Sequence, residues 1–560
     1  MNNTLLLQQF DLLATAPGGV ARLRELILTL AVQGKLVPQN PADEPASALL
    51  KRIRAEKDRL IAEGKIKRDK PLAPIGEDEQ PFELPPGWVY CRLGALLLSI
   101  RSGGTPSKQN PAFWGGDIPW ASVKDLRFGE PVSDTQDRIT QAGLCAGSEL
   151  APAGSILICT RMGLGKIGEA LVDVAINQDL KAVSLGAGID KQYFINYFKT
   201  LAVVGSGMTV AGIKQEELLG FVVPLPPETE QARIVARVEE LMRVCDALEA
   251  TGQRQAAHHR QLVQTLLGDL TADSHTSWQR VADHFDTLLD RPSAVDALEQ
   301  TILQLAVRGQ LVPQDPTDEP ASALLKRIRA EKDRLIAAGK IKRDKPLAPI
   351  GEEEQPFELP PGWEWVQSFE VCEPSSLITY GILKPVWVVS GIPTVRVQDM
   401  KGGVLDTSNL GHCSLERAGK FEKTRLVAGD LLIAKDGATL GKTAFVPPEL
   451  TGGNVTQHVL RFPINGLLNR NYVRMVIDSE HGQCWMLSET KGVALPGVNV
   501  GDFRRLPIPL PPLPEQARIV ARVTQLRRLC ADLRQRLTQS QTTQAALAEA
   551  LVVDAVSGVC

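Results

Sequence analysis

Glu44-Pro-Ala-Ser-Ala-Leu-Leu-Lys-Arg-Ile-Arg-Ala-Glu-Lys-Asp-Arg-Leu-Ile61 occurs twice in this chain, the second time as residues 319–336, and that repetition decides the fold. The copy extends on both sides at a constant offset of 275, from Phe10–Trp88 to Phe285–Trp363. Between Glu44 and Trp88 only Glu63 and Asp78 differ from their counterparts, Ala338 and Glu353. A second repeat, at an offset of 285, pairs Pro224-Leu-Pro-Pro227 and Glu230-Gln-Ala-Arg-Ile-Val-Ala-Arg237 with Pro509-Leu-Pro-Pro512 and Glu515-Gln-Ala-Arg-Ile-Val-Ala-Arg522. Two dissimilar regions, about 89–222 and 364–507, lie between these blocks. The order is arm, variable region, helix, then the same again, which is a tandem duplication.

The Pro-Leu-Pro-Pro segments cannot continue a helix or a central strand, and after each of them apolar residues recur at alternating spacings of four and three. The first set is Ile234, Val238, Leu241, Cys245 and Leu248, then Gly252, Gln255 and His259, then Leu262 and Leu266. The second is Ile519, Val523, Leu526, Cys530, Leu533 and Leu537, then Ser540 and Gln544, then Leu547 and Leu551. Each predicts a coiled-coil helix of about 40 residues, about 60 Å long. Both seams turn polar along their length, which weakens a coiled coil but fixes its register. A pseudo-twofold axis is the simplest relation between the copies. It sets the long helices antiparallel and sends the variable regions to opposite ends, as in a molecular ruler; a helical hairpin packed for stability alone is the alternative.

In the arm, Leu49, Leu50, Ile53 and Leu60 share one helical face, with Ser47 as a candidate N-cap and Gly64 as the C-terminal stop. The basic run Gly64–Pro71 and the acidic Gly76–Gln80 then lead to Pro85-Pro-Gly-Trp88 as a surface loop. Near-identity of two surface segments calls for one partner bound twice, with Leu49, Ile53 and Lys57 and their copies Leu324, Ile328 and Lys332 as the candidate docking residues. The variable regions carry short β-type runs between glycines, such as Ser155–Cys159 and Leu431–Ala434, and helical stretches such as Lys191–Leu201, so each predicts an α/β domain. The reading is α+β: two α/β domains separated by long antiparallel helices. Its segments are an arm (1–88), a first variable domain (89–223), a central helix (224–268), a linker and second arm (269–363), a second variable domain (364–508) and a C-terminal helix (509–560).

At 560 residues, 43% hydrophobic and 23% charged, the chain has the composition of a multidomain folded protein. Met1-Asn-Asn-Thr4 before Leu5-Leu-Leu7 lacks a basic n-region, and no stretch approaches the roughly 20 apolar residues of a membrane span, so a cytoplasmic protein with no membrane partner is expected. The nine cysteines (91, 145, 159, 245, 372, 413, 484, 530 and 560) show no CxxC pair or metal-ligand spacing and read as buried thiols. The net charge of −3 gives no basic field, and the variable regions hold 12 Lys and Arg against 12 Asp and Glu, and 15 against 14. Any phosphate clamp on nucleic acid would therefore have to come largely from partners.

The variable regions share punctuation: Ile118-Pro-Trp-Ala-Ser-Val-Lys-Asp125 against Ile392-Pro-Thr-Val-Arg-Val-Gln-Asp399, and Gly154-Ser-Ile-Leu-Ile158 against Gly429-Asp-Leu-Leu-Ile433. Within it Trp120 becomes Thr394, Ser122 becomes Arg396 and Lys124 becomes Gln398, swaps among side chains that address base edges differently. Together with Gly103-Gly-Thr-Pro-Ser107, Phe113-Trp114, Gly116-Asp-Ile-Pro-Trp120, Arg161-Met-Gly-Leu-Gly-Lys166 and Asn177-Gln178, this region resembles the target-recognition domain of Type I restriction-modification specificity subunits. Leu225–Ile234 and Ile302–Gly309 resemble that family's spacer regions, so the resemblance covers almost the whole chain. It implies two heads that each read half of a split double-stranded DNA site, and helices that separate them and hold two methyltransferase subunits, with restriction and translocase subunits in the full complex. S-adenosylmethionine, ATP and Mg²⁺ are expected on those partners and no cofactor or metal on this chain. The implied DNA contacts are Thr105, Ser107, Lys124, Arg161, Lys166, Asn177 and Gln178 in the first head, and Arg396, Gln398, Lys435, Lys442, Asn454 and Gln457 in the second. The second head has Thr379-Tyr-Gly-Ile-Leu-Lys384 where the first has Gly-Gly-Thr-Pro-Ser.

Catalytic signatures are missing from the sequence. Gly437-Ala-Thr-Leu-Gly-Lys-Thr443 is one residue short of GxxxxGK[ST] and cannot wrap phosphates in that loop's manner; a turn offering Lys442, like Lys166, to a DNA phosphate and a plain hairpin turn are the two readings. No Asn/Asp-Pro-Pro-aromatic, HExxH or GxSxG motif occurs, and His258-His259 falls on a helix seam.

Overall fold

The computed structural model describes residues 10–557 apart from 67, 69, 202, 204–211, 273, 344–346 and 491–496. The chain forms two compact units, Met1–Arg254 with Gln541–Cys560, and Gln255–Ser540.

In the first unit, arm helices α1 (Gly19–Val32) and α2 (Ala46–Ala62) precede the head. Ser47 does not cap α2: Pro45 holds the N-cap position in extended backbone and makes no side-chain cap, while Ala46 N–H donates to Gly87 O at 2.9 Å. The helix ends as the sequence predicts. Gly64 adopts φ +70, and Lys65 N–H reaches back to Leu60 O at 2.9 Å.

The first head runs through β1 (Val89–Arg92), β2 (Leu97–Ser102), β3 (Trp114–Ala121), β4 (Asp137–Ile139), β5 (Glu149–Ala151), β6 (Ile156–Cys159), β7 (Ile167–Glu169), β8 (Val174–Ile176), β9 (Leu180–Leu185), α3 (Lys191–Thr200) and β10 (Val222–Leu225). β1 and β10 pair antiparallel at the base of the head. Above them lie an antiparallel sheet ordered β2-β9-β6-β7 and a mixed sheet ordered β4-β3-β8-β5, in which β3 and β8 run parallel. β6 is apolar and buried at every position, as a central strand must be. Leu49 and Ile53 of α2 join the same core as Ile156, Ile158, Val183 and Phe194, so the arm completes the head. Gly186 and Gly188 make room for them: a Cβ at either would sit 2.7 Å from Ile53 or Leu49.

Helix α4 (Glu228–Ala272) then begins. Its Glu-Gln-Ala-Arg start ties the unit together: Trp88 Nε1–H donates to Glu230 at 3.1 Å, Asp190 N–H to Gln231 at 2.8 Å, and Arg233 pairs with Asp43 at 2.6 Å.

The second unit repeats this plan with α5 (Pro292–Val307), α6 (Ala321–Ala337), β11 (Glu364–Gln367), β12 (Thr379–Tyr380), β13 (Trp387–Val388), β14 (Ile392–Val395), β15 (Met400–Lys401), β16 (Val404–Leu405), β17 (Gly411–Cys413), β18 (Leu431–Ala434), β19 (Thr443–Phe445), β20 (Asn454–Val455), β21 (Val459–Phe462), α7 (Arg470–Asp478), β22 (Pro507–Leu510) and α8 (Leu513–Ser557). The sheet β12-β21-β18-β19 matches β2-β9-β6-β7. In β13-β17-β14-β20 the strands β17, β14 and β20 stand for β4, β3 and β8, with β14 and β20 parallel, but the fourth strand, β13, lies beyond β17 where the first head carries β5 beyond β8. Trp363 donates to Glu515 at 3.0 Å, Asn469 N–H to Gln516 at 3.0 Å, and Arg518 pairs with Asp318 at 2.7 Å.

Each long helix has 45 residues, about 68 Å of rise. In the first unit the end of α8 (Ala548, Val552) packs on Ile234, Val238 and Cys245 near the start of α4; in the second, Leu533 of the first half of α8 packs on Val263, Leu267 and Leu270 near the end of α4. These are antiparallel contacts, as the repeat predicts. The seam itself departs from the predicted register. Leu262 and Leu547 are half exposed, whereas Val263 and Ala548 are buried. The half-buried positions Leu248 and Ala256, with Gly252 between, step by four twice, as do Leu537, Gln541 and Ala545. An extra step of four locally unwinds a heptad and shifts its phase, so the polar middle of both helices is where the register slips. Among the described residues no helix is long and apolar enough to cross a membrane.

Candidate nucleic-acid interface

The heads superimpose as hydrogen-bond patterns. In the first, Gly104 N–H donates to Ile176 O (3.0 Å) and Asn177 N–H to Ala121 O (3.0 Å); in the second, Ile382 N–H donates to Val455 O (2.7 Å) and Thr456 N–H to Val395 O (3.0 Å). Gly103 and Gly381 occupy the same place, since a Cβ at either would fall about 2 Å from a carbonyl oxygen of β8 or β20. Gly103-Gly104 therefore corresponds to Gly381-Ile382, an equivalence the sequence left open.

On this scaffold four loops of the first head are laced together. The Ser122–Asp125 turn is closed by Asp125, which accepts from Ser122 N–H at 2.8 Å; Lys166 Nζ donates to Val123 O at 3.0 Å; Arg161 lies 3.6 Å from Asp179; and Thr105 is hydrogen-bonded to Gln178. Thr105, Ser107, Lys124, Arg161 and Gln178 are exposed and Lys166 half-buried. In the second head Asp399 closes the matching turn, accepting from Arg396 N–H at 2.7 Å. Gln398 and Lys442 are exposed, and Arg396, Lys435 and Gln457 half-buried. The Arg396 guanidinium is held by Asp399 (3.0 Å) and Asn409 O (2.9 Å), and Lys435 by Asp436 (3.1 Å).

Two candidates are corrected. Asn177 is 5% exposed and turns back on Asp179, accepting from its N–H at 3.0 Å; Asn454 is 1% exposed and accepts from Thr424 Oγ1 at 2.5 Å. Both hold loops rather than face solvent. The arm candidates are corrected likewise: Leu49, Ile53, Leu324 and Ile328 are buried in the cores of their own units. Their regular spacing marks a packed face, and the partner it meets is the head. Lys57 donates to Gly94 O at 3.2 Å, and Lys332 lies 4.0 Å from the Phe369 ring centre.

The sequence reading also missed a reversal of sign. Arg161 bridges to Gly212 and Asp436 to Gly497, so Arg161 and Asp436 stand at one position, and their partners Asp179 and His458 at another. The first head has a guanidinium facing a carboxylate where the second has a carboxylate facing an imidazole, His458 Nδ1 lying 2.9 Å from Asp436. A gapped alignment of Ile176-Asn-Gln178 on Val455-Thr-Gln457 would have found it.

The glycine-lysine turns join β6 to β7 and β18 to β19, strand to strand, whereas a nucleotide-binding P-loop leads into a helix. Cys145 and Cys484 are exposed, against the expectation of buried thiols, and Cys560 lies outside the described residues. Burial pushes the Cys91 and Cys372 thiols up to about 12, so neither is a nucleophile near neutral pH. His259 is half-buried on the α4 seam, with Nε2 3.0 Å from Thr287 O.

Residues 85–258 and 362–540 match the Type I restriction modification DNA specificity domain. The EcoEI specificity subunit of Escherichia coli is 33% identical over 95% of this chain and 93% of its own length. The EcoAI specificity subunit, from the same organism, is 36% identical over 96% and 94%. A chain from a solved structure on assembly and conformational transition of the type I R-M system is 18% identical, covers 85% of this chain and 99% of its own, and has a TM-score of 0.45. Two matched domains on a duplicated scaffold, and relatives aligned nearly end to end, place this chain in the family of Type I restriction-modification DNA specificity subunits.

Proposed function

We propose that each head reads one half of a split, non-palindromic DNA site from the major groove, through Thr105, Ser107, Lys124, Arg161, Lys166 and Gln178 on the first head and Arg396, Gln398, Lys435, Lys442 and Gln457 on the second. One observation carries this reading: the backbone hydrogen bonds that hold the loops are the same in both heads while the side chains on them differ, exposed Lys124 standing against exposed Gln398. A scaffold with interchangeable donors and acceptors suits base-edge readout. The long helices set the unread gap. Two methyltransferase subunits dock on the repeated arms, through outward residues such as Arg54 and Asp58 and their copies Arg329 and Asp333, and restriction and translocase subunits join through them. This chain contributes recognition, and the partners supply catalysis with S-adenosylmethionine, ATP and Mg²⁺. Mapping methylated bases genome-wide, with and without this gene, tests the reading. A bipartite motif that vanishes with the gene is expected, and unchanged methylation would overturn it.

A further inference from the structure

After Gly381 the second head exposes a run of apolar side chains, whereas the exposed apolar residues of the first head, Phe128, Met162 and Leu171, stand singly along the chain. Leu383, Val386, Trp387, Val388 and Val389 are 39–101% exposed, Val389 completely. Soluble surfaces rarely leave such a contiguous apolar strip without a use. Its geometry is held firmly. Arg417 Nε–H donates to Leu383 O at 3.1 Å, β13 pairs with β17, and the Trp387 ring lies over Gly411, where a Cβ would sit 2.5 Å from it. The Arg396 guanidinium stands 5.8 Å from the Trp387 ring centre. Trp387, Val388, Val389, Arg396, Asn409 and His412 line an open depression of about 790 Å³.

This strip continues the candidate DNA face. It follows directly on Gly381-Ile382, whose carbonyl accepts from Gln457 N–H at 3.1 Å, and it borders the turn that carries Gln398. In the first head the positions after the matching glycine are Thr105, Pro106 and Ser107. The nearby Trp114 is turned inward there, its ring edge-on to Trp120 at 5.1 Å and its Nε1–H bonded to Ser107 O. The apolar strip therefore belongs to one head alone, which argues against a partner that docks equally on both halves. Arg396, held by Asp399, and His412 line the depression beside Glu449, and Lys384 follows Leu383 in the chain, so the strip carries no net acidic field against DNA. In the major groove the apolar feature a protein can meet is the thymine C5 methyl group.

We propose, resting on the function above, that Leu383–Val389 reads thymine methyl groups in the second half-site, with Trp387 as a fixed floor and Val388 and Val389 as the contacting side chains. The test uses the assembled complex of this chain with its methyltransferase subunits. Methylation mapping gives both half-sites, and the half blurred by Gln398→Ala is the second head's. Duplexes are then made with deoxyuridine in place of thymine in one half at a time. Loss of a contacted methyl should weaken binding about fourfold in the second half and leave the first unchanged. Val389→Ala, at a fully exposed position, should reduce that sensitivity, and Val388→Thr should do the same. Equal binding of thymine and deoxyuridine duplexes, or a second half-site without thymine on either strand, would overturn the proposal. So would loss of partner subunits from Val389→Ala in native mass spectrometry, which would make the strip a protein contact. Absence of any bipartite motif would instead refute the DNA-reading function itself.

Discussion

At the scale of single residues, burial separates the side chains proposed to read bases from those that hold loops, since Asn177 and Asn454 are buried and the others reach solvent at least in part. Lys124 and Gln398 project from turns closed by Asp125 and Asp399, so alanine at either should cost about 1–3 kcal/mol of specific binding and blur one base position, measured by gel shift of the assembled complex. Asn454→Ala should act differently: it removes a buried side chain that accepts from Thr424 Oγ1 and Val455 N–H and donates to Phe421 O, costing about 1–3 kcal/mol of stability in thermal unfolding without changing which bases are preferred. Buried carboxyls add a pH dependence. Burial holds Glu230 and Glu515 above the usual carboxylate range, so the folded chain keeps those protons to higher pH than the unfolded chain does. Their contribution is present at acid pH and lost as pH rises through the raised values. Glu79, held at about 2 by Arg92, works the other way: its contribution is present above the ordinary carboxylate range and is lost as pH falls from there toward about 2. Between about pH 5 and pH 7, unfolding midpoints of the Glu230→Gln, Glu515→Gln double variant should therefore fall less with rising pH than those of the parent.

At the scale of elements, the arm helices are part of the heads. Leu49→Ala or Leu324→Ala should cost about 2–5 kcal/mol of stability, seen as a lower unfolding midpoint of the isolated chain. Alanine at the exposed Arg54 and Arg329, the latter giving up only a surface pair with Glu370, should instead cost under about 1 kcal/mol and weaken partner binding. Both long helices, their start motifs and the Gly64 stop followed from local pattern, because spacing and capping are local physics. The Leu262 and Leu547 assignments failed because where a seam slips depends on the facing helix, which a single strand of sequence does not display. Asn177 and Asn454 failed for a related reason: a polar side chain looks alike on paper whether it meets a base or a backbone amide. Lengthening both helices by one heptad in this polar middle preserves seam phase and adds about 10 Å of rise. Methylation mapping in cells carrying such a chain should show a longer unread gap with both half-sites intact.

At the scale of the molecule, duplication predicts stoichiometry. Two nearly identical arms should bind two methyltransferase subunits, and native mass spectrometry of the co-expressed complex should show two per chain; a dominant one-to-one species would refute this. The balance of charge, 12 against 12 and 15 against 14 in the variable regions, implies that the chain alone should bind DNA weakly and with a shallow salt dependence that steepens once the partners are present. The exchange of Arg161 and Asp179 for Asp436 and His458 has a consequence beyond either half-site. A backbone that accepts opposite electrical polarity at matching positions keeps its shape provided the two positions change together, because each head holds a nearly buried carboxylate against a partner. Single changes there should strand a carboxylate, whereas paired changes can alter the vocabulary a head presents and leave its grammar still.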